Sequence, residues 1–192
     1  MESQSPVRLY CAYTSLVDRP TFARLWEDCT QSERPLPVGR KVEIVDHDLL
    51  FNCPSLAWGG RIPGIVPVKG KRVPALLYAV DAQDWHALEL AEEYPDRVPI
   101  TVKVDMDGVE LRAQAFTTRI SQSTSMLGVS PQALAILLRG AEAAGFPREY
   151  IERLRGAPDS ESLFTAEVLL AAEQEVEKEA AAAAAVAATS AR

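Results

Sequence analysis

Short apolar runs alternate with polar punctuation along this chain, and the period of the alternation changes from place to place. Period-two runs rich in Val, Ile, Tyr and Phe predict strands at Val7–Tyr13, Lys41–Phe51, Arg61–Val68, Val73–Val80, Val98–Asp105 and Val109–Thr118. The last two flank Asp107-Gly108, the strongest short hairpin signal in the sequence. Pro67, Pro74 and Pro99 push their strands toward ends, edges or bulges, because proline removes a ladder donor. Helical spacing predicts helices at Pro20–Cys29, Ala82–Glu92, Pro131–Ala144 and Pro147–Arg155, and another from Thr165 onward. Ser130 before Pro131 reads as an N-cap with proline in the first turn, and Gly145 stands where a C-terminal cap glycine belongs. Asp81 is expected to cap the helix that ends near Glu92. Because the strands come in runs and do not alternate strictly with helices, the pattern predicts an α+β fold.

The pattern changes again at the C-terminal end. From Ala171 the chain is nearly all alanine and glutamate, with high helix propensity and little to bury. The expectation is one domain over residues 1–160 and a helical extension over 161–192, docked through Phe164, Val168 and Leu169 and frayed beyond them. With 192 residues, 47% of them hydrophobic, the chain can bury one proper core. A net charge of −7 without a Lys/Arg stripe argues against nucleic acid as a partner. No apolar run is long enough to span a bilayer and the first residues lack a signal-peptide pattern, so a soluble cytoplasmic protein is expected, monomer or homodimer.

The candidate chemistry is sparse. Cys11, Cys29 and Cys53 lack metal-binding spacing and are expected as reduced thiols, with no metal and no disulfide. His47 reads as a strand or loop residue and His86 as exposed; a Cys53–His47 dyad is the less favoured alternative. Trp58, Trp85, Tyr10 and Phe116 read as core, and Ser15 lacks the histidine that a nucleophilic serine needs. The polar loop Arg119–Val129 is either a cavity lid or a plain connection. More informative is the passage from the first strand through Thr14-Ser15 into a helix opened by Asp18-Arg19-Pro20. Such a turn presents backbone N–H groups at a helix N-terminus, a setting that favours a carboxylate or phosphate.

Several pieces in one order resemble the γ-glutamylcyclotransferase-like (AIG2-like) family, across roughly Val7 to Pro158. Family members end their first strand in Tyr-Gly-Ser-Asn, where this chain has Tyr13-Thr14-Ser15-Leu16. An aromatic-Gly-Gly segment before a strand pair is matched by Trp58-Gly59-Gly60, and a helix ending in Leu-Asp-x-x-Glu-Gly by Leu88 to Glu93. A Gly-x-Pro-x-x-Tyr-x-x-x-Leu segment is matched by Gly145 to Leu154.

The resemblance implies a small mixed β-barrel flanked by helices, with a cavity at one end. It also implies an enzyme needing no cofactor, which releases 5-oxoproline from a small γ-glutamyl amide as the substrate's own amine attacks its γ-carbonyl. One carboxylate carries the proton, and by position that is Glu92, with Tyr13, Thr14, Ser15 and Leu16 as the substrate-binding loop. The location of Glu92 at a helix C-terminus beside Glu89 and Glu93 points independently to a raised pKa.

The departures bear on that expectation. Thr14 replaces a glycine, Leu16 an asparagine and Glu93 a glycine, so the turn after Glu92 must differ or be strained. Arg97 stands about where relatives place a substrate-contacting tyrosine; it would bind an anion or pair with Glu92. Two alternatives therefore stay open. One is a tailoring cyclase or lyase acting on a non-glutamyl substrate; the other is a non-catalytic small-molecule or protein binding module.

Overall fold

A computed structural model of the chain describes residues 6–29, 36–93, 96–119 and 127–157. The C-terminal extension, most of the Arg119–Val129 loop and the expected docking residues Phe164, Val168 and Leu169 lie outside the described residues. Five strands form a closed barrel. They are β1 (Val7–Ala12), β2 (Arg40–Ser55), β3 (Gly60–Asp81), β4 (Val98–Met106) and β5 (Val109–Thr117), in the order β1-β3-β2-β4-β5. The barrel closes where β1 and β5 run parallel at Tyr10 and Gln114. The α+β barrel is thus the fold the sequence and the resemblance imply.

Local chemistry explains several of these elements. The β4–β5 hairpin turns on Asp107 and Gly108, both at positive φ (54° and 85°), with Met106 opposite Val109. That is the pair of left-handed positions a two-residue hairpin turn requires, so the Asp-Gly signal read from sequence is realised. The strands predicted at Arg61–Val68 and Val73–Val80 are instead one continuous strand, β3, which pairs along nearly all of β2. Pro67 is tolerated for a visible reason: it lies opposite His47, next to the register shift between Val45 and His47.

Helices α1 (Arg19–Cys29), α2 (Trp85–Ala91), α3 (Pro131–Ala144) and α4 (Arg148–Arg155) lie against the barrel. Helix α1 buries Phe22 and Trp26, with Phe22 edge-on to Tyr10 and Tyr78 of the barrel. Helix α3 buries Leu134, Leu137 and Ala141. It begins as expected, with the Ser130 hydroxyl accepting from the Ala133 amide and proline following, and it ends at Gly145 in the left-handed region. The expected role of Asp81 is corrected: its side chain makes no capping bond, because a single 3₁₀ turn at Ala82–Asp84 separates it from α2. Among the described residues no helix is long and apolar enough to cross a membrane.

A second correction concerns the first turn. A 3₁₀ turn, Ser15–Val17, intervenes before α1, and the carboxylate of Asp18 fills the N-terminus of α1 by accepting from the Thr21 amide (3.1 Å) and hydroxyl (2.6 Å). The helix N-terminus therefore already holds an anion, one of the protein's own. Arg139 of α3 meets the same carboxylate through two N–H groups at 2.9 and 2.6 Å. The Arg139 bonds hold the Asp18 carboxyl below its ordinary 3.8, with the Thr21 bonds adding to the effect against the cost of burial. A carboxyl lowered on folding contributes stability that is present above pH 3.8 and is lost as pH falls through its folded value. Asp18→Asn is accordingly expected to be less stable than wild type at neutral pH, with the gap closing on acidification. Urea midpoints at neutral pH and below pH 3.8 check it, and a gap that stays constant contradicts it.

Candidate active site

Helix α2 stops at Glu92, whose amide closes the last turn on the Leu88 carbonyl at 2.9 Å. Glu93 then takes a left-handed conformation, φ 60°, the geometry in which glycine most often ends a helix. Its carbonyl accepts from the amides of Asp96 (3.0 Å) and Arg97 (3.3 Å), so the chain doubles back. This reversal is why two side chains five positions apart can meet.

Arg97 donates through Nη1 to Glu92 Oε2, and both residues are buried, at 4% and 2% exposed. Tyr10 reaches across from β1 and donates its hydroxyl to Glu92 Oε1. The second Arg97 nitrogen, Nη2, donates to the Tyr13 hydroxyl at 2.9 Å and to the Phe116 carbonyl, which also accepts from Tyr13. The guanidinium carbon lies 5.6 Å from the centre of the Tyr13 ring. The pairing of Arg97 with Glu92, one of two roles open from sequence, is therefore present. Among the described residues Arg97 Nε has no hydrogen-bond partner, nor has the buried hydroxyl of Thr14.

Electrostatics follow from burial. Removal from water pushes the Glu92 carboxyl above its ordinary 4.5, and neighbouring Glu93 pushes the same way, while Arg97 and the Tyr10 hydrogen bond pull it down. The upward direction matches the sequence reading, but the main cause is desolvation, and Glu89 takes no part. Burial opposes charge on Arg97 too, yet Glu92 and the phenols of Tyr13 and Tyr10 hold its proton more tightly than usual. Burial, with Glu92 beside it, raises the Tyr10 phenol well above 10.0.

Glu92, Glu93, Arg97, Ser15 and Trp58 line one cavity of about 100 Å³, walled on its apolar side by residues that include Leu25 and Ile62. This is below the volume of a typical drug-sized site, so a compact group fits it. Of the loop residues read from sequence, Ser15 reaches the cavity wall and Tyr13 joins the Arg97 network, whereas Leu16 packs into the core and Thr14 is buried at 2% exposed. Thr14 holds an ordinary extended conformation, so its β-carbon costs the turn nothing. Among the described residues, open hollows of about 440 and 580 Å³ elsewhere are lined by no buried ionisable group.

Sequence reasoning missed two features here. Tyr10 was expected in the core; it is there, but it also bonds to Glu92, 82 positions away. Trp58 was expected in the core as well, but it forms cavity wall and donates its indole N–H to Glu93. The only available signal was Glu93 itself, a carboxylate where a glycine is the cheaper residue. Cys53 is buried near Arg97, Glu92 and Thr118, while the His47 ring is engaged with the Val45 carbonyl at 2.8 Å. Among the described residues no group of His, Cys, Asp and Glu could hold a metal ion.

Comparison with known proteins adds a partial family match and a fold. Residues 72–154 match the AIG2-like family model. The solved structure of a γ-glutamyl cyclotransferase superposes with a TM-score of 0.66 at 22% identity, over 88% of this chain and 99% of that one. An uncharacterized protein from Homo sapiens superposes at 0.64 with 24% identity, over 78% of this chain and 86% of that one. YkqA from Bacillus subtilis gives 0.64 at 20% identity, covering 80% of this chain but only 55% of its own length. At these identities the structural likeness is one of fold. No curated protein matches the sequence.

Proposed function

We propose, from the match of residues 72–154 to the AIG2-like family model, that this chain is a γ-glutamylcyclotransferase-like enzyme acting on a small γ-glutamyl amide. The observation that carries the reading is Glu92, a desolvated carboxylate held between Tyr10 and Arg97 at the wall of a small cavity. In this reaction the α-amine of the substrate attacks its own γ-carbonyl carbon. A new C–N bond closes the five-membered ring, and the carbonyl oxygen takes up the electron pair as an oxyanion. Glu92 accepts the proton that the attacking nitrogen must lose and delivers it to the departing nitrogen as the old C–N bond breaks. The products are 5-oxoproline and a free amine; no water is consumed.

The carboxylate retains capacity for this work. Each of its oxygens accepts one protein hydrogen bond, leaving further lone pairs for the substrate amine. Arg97 supplies a positive charge and, at Nε, a donor without a partner among the described residues. We assign it the substrate's carboxylate or the developing oxyanion, the roles for which a fixed guanidinium is suited. Ser15, from the loop after Tyr13, contributes to the wall of the same cavity.

Incubation of the full chain with a panel of γ-glutamyl amides and dipeptides, read as 5-oxoproline release, tests the proposal. Wild type is expected to turn over at least one member. Glu92→Gln is expected to lose roughly 10²- to 10⁴-fold in rate while keeping the native fold by circular dichroism. Release should fall as pH drops through the raised pKa of Glu92, because the base is then protonated. No release by wild type, or full release by Glu92→Gln, overturns the assignment. The Arg97–Glu92 pairing favours one second reading, proton transfer in a cyclase or lyase that acts on another small anion. Binding of a carboxylate ligand without 5-oxoproline release from any γ-glutamyl compound distinguishes it.

A further inference from the structure

We infer that Glu93 sets the dimensions of this site by latching the Trp58 indole across it, and so determines which amides fit. The inference rests on the functional reading above and assigns a specificity-determining residue within it. It begins from a mismatch between residue and backbone. Glu93 occupies a left-handed position, φ 60°, that glycine adopts without penalty and that a side chain makes costly. The backbone bonds that reverse the chain there, from the Asp96 and Arg97 amides to the Glu93 carbonyl, need no side chain at all. The turn therefore does not call for glutamate.

What the carboxylate adds is elsewhere. Its Oε1 accepts the Trp58 indole N–H, and its Oε2 accepts the Ser55 hydroxyl at 3.1 Å. Ser55 ends β2, and Trp58 lies in the turn to β3, so these bonds tie the barrel rim to the end of α2. The carbonyl of Trp58 is fixed independently of Glu93, accepting from Ser130 Oγ at 2.7 Å, while its amide donates at 3.4 Å to the same Ser55 hydroxyl that Glu93 holds. The indole is the part whose direction Glu93 controls.

The position of this contact gives it a consequence. Trp58 and Glu93 line the inner cavity together with Glu92 and Arg97. Ser55 and Glu93 also line an adjoining open groove of about 560 Å³ that extends past Leu56 and Asp96. Glu93 is common to the linings of both spaces, and the indole it holds lines the inner one. The inner space of about 100 Å³ takes the reacting acyl portion beside Glu92. The amine portion lies outward, and its bulk near the scissile bond is limited by the latch. Substrates are thus γ-glutamyl amides of slender primary amines.

The test compares wild type with Glu93→Gly, which suits the backbone, Trp58→Phe, which keeps a ring but loses the N–H, and Glu93→Gln, which keeps an acceptor. Two readouts are taken: exchange of the Trp58 indole proton by NMR, assigned through Trp58→Phe, and calorimetric binding of glutamine, γ-glutamylmethylamide and γ-glutamylbenzylamide. Wild type is expected to favour the smaller amides. Glu93→Gly and Trp58→Phe are expected to reduce that preference roughly tenfold, the size of one lost hydrogen bond, while Glu93→Gln retains most of it. The indole proton should exchange faster in Glu93→Gly. An unchanged preference in both altered latches, an indole proton protected as before, or no binding of any amide by wild type overturns the inference. Binding that follows the expected order without 5-oxoproline release leaves the latch standing and removes only the proposed reaction.

Discussion

Arg97→Met is expected to lower stability at neutral pH by about 3–5 kcal/mol, the usual cost of stripping one partner from a buried ion pair. Methionine fills the space of the stem, but among the described residues Glu92 is left with only the Tyr10 hydroxyl and no compensating charge. The Phe116 carbonyl and the Tyr13 hydroxyl lose a donor as well. The pH dependence separates the charge effect from packing. Without Arg97, one of the two influences holding the Glu92 carboxyl down disappears, so its folded pKa rises further above 4.5. A carboxyl raised on folding favours the folded state at low pH and loses that contribution as pH climbs through its folded value. The penalty of Arg97→Met should therefore be largest at neutral pH and smallest below pH 4.5, where Glu92 is neutral and needs no cation. Replacing both residues, Glu92→Met with Arg97→Met, should recover most of the loss, because an apolar pair carries no desolvation cost. Urea titrations of the single and double variants at two pH values decide this. A pH-independent penalty, or a double variant as unstable as Arg97→Met, contradicts the charge argument.

That ion pair also marks the boundary of what the sequence made legible. Features fixed within a few residues could be read directly. Asp107-Gly108 dictates its own turn, and Ser130-Pro131 and Gly145 dictate the ends of α3, because φ preferences and capping bonds act locally. The apolar period found every strand of the barrel but split β3, since Gly70 and the nearby lysines and prolines look like a break when the partner strand β2 is unseen. Glu92 stood out through the order of several weak motifs and its place at a helix end. Its surroundings were hidden. Tyr10 approaches through barrel closure, and Arg97 approaches only because Glu93 turns left-handed. The N-terminus of α1 misled for a similar reason: an open amide cluster attracts an anion, but that anion is Asp18, held by an arginine 121 positions away. Binding sites built by convergence of distant segments leave only single residues in the sequence, and each one has an ordinary structural explanation.

Gly140→Ala should destabilise the protein even though alanine is the better helix former. In an exposed helix interior the exchange gains about 1 kcal/mol. Here a β-carbon would stand 2.5 Å from the Asp18 amide nitrogen, 2.8 Å from its α-carbon and 2.9 Å from the Val17 carbonyl carbon. These are backbone atoms and cannot rotate aside. The segment they belong to is held on that side by the paired hydrogen bonds from Arg139, the residue next to Gly140. It is held on the other by the start of α1, where the Asp18 carbonyl accepts from the Phe22 amide at 2.9 Å. Relief requires α3 to move away from the 3₁₀ turn, which disturbs the packing of Leu16 and Leu137. Overpacking of this kind costs about 1–3 kcal/mol, and a backbone obstacle puts this site at the upper end. Set against the gain in propensity, the net loss is roughly 2 kcal/mol, or about 4–8 °C in melting temperature for a protein of this size. Because Ser15 belongs to the same turn and lines the cavity, the shift should also weaken binding of the γ-glutamyl ligands proposed for this site. Thermal unfolding and calorimetry on the purified variant read both effects. A Gly140→Ala protein as stable as wild type would mean that α3 is not pressed against the Val17–Asp18 backbone and that the cavity loop is not braced from behind.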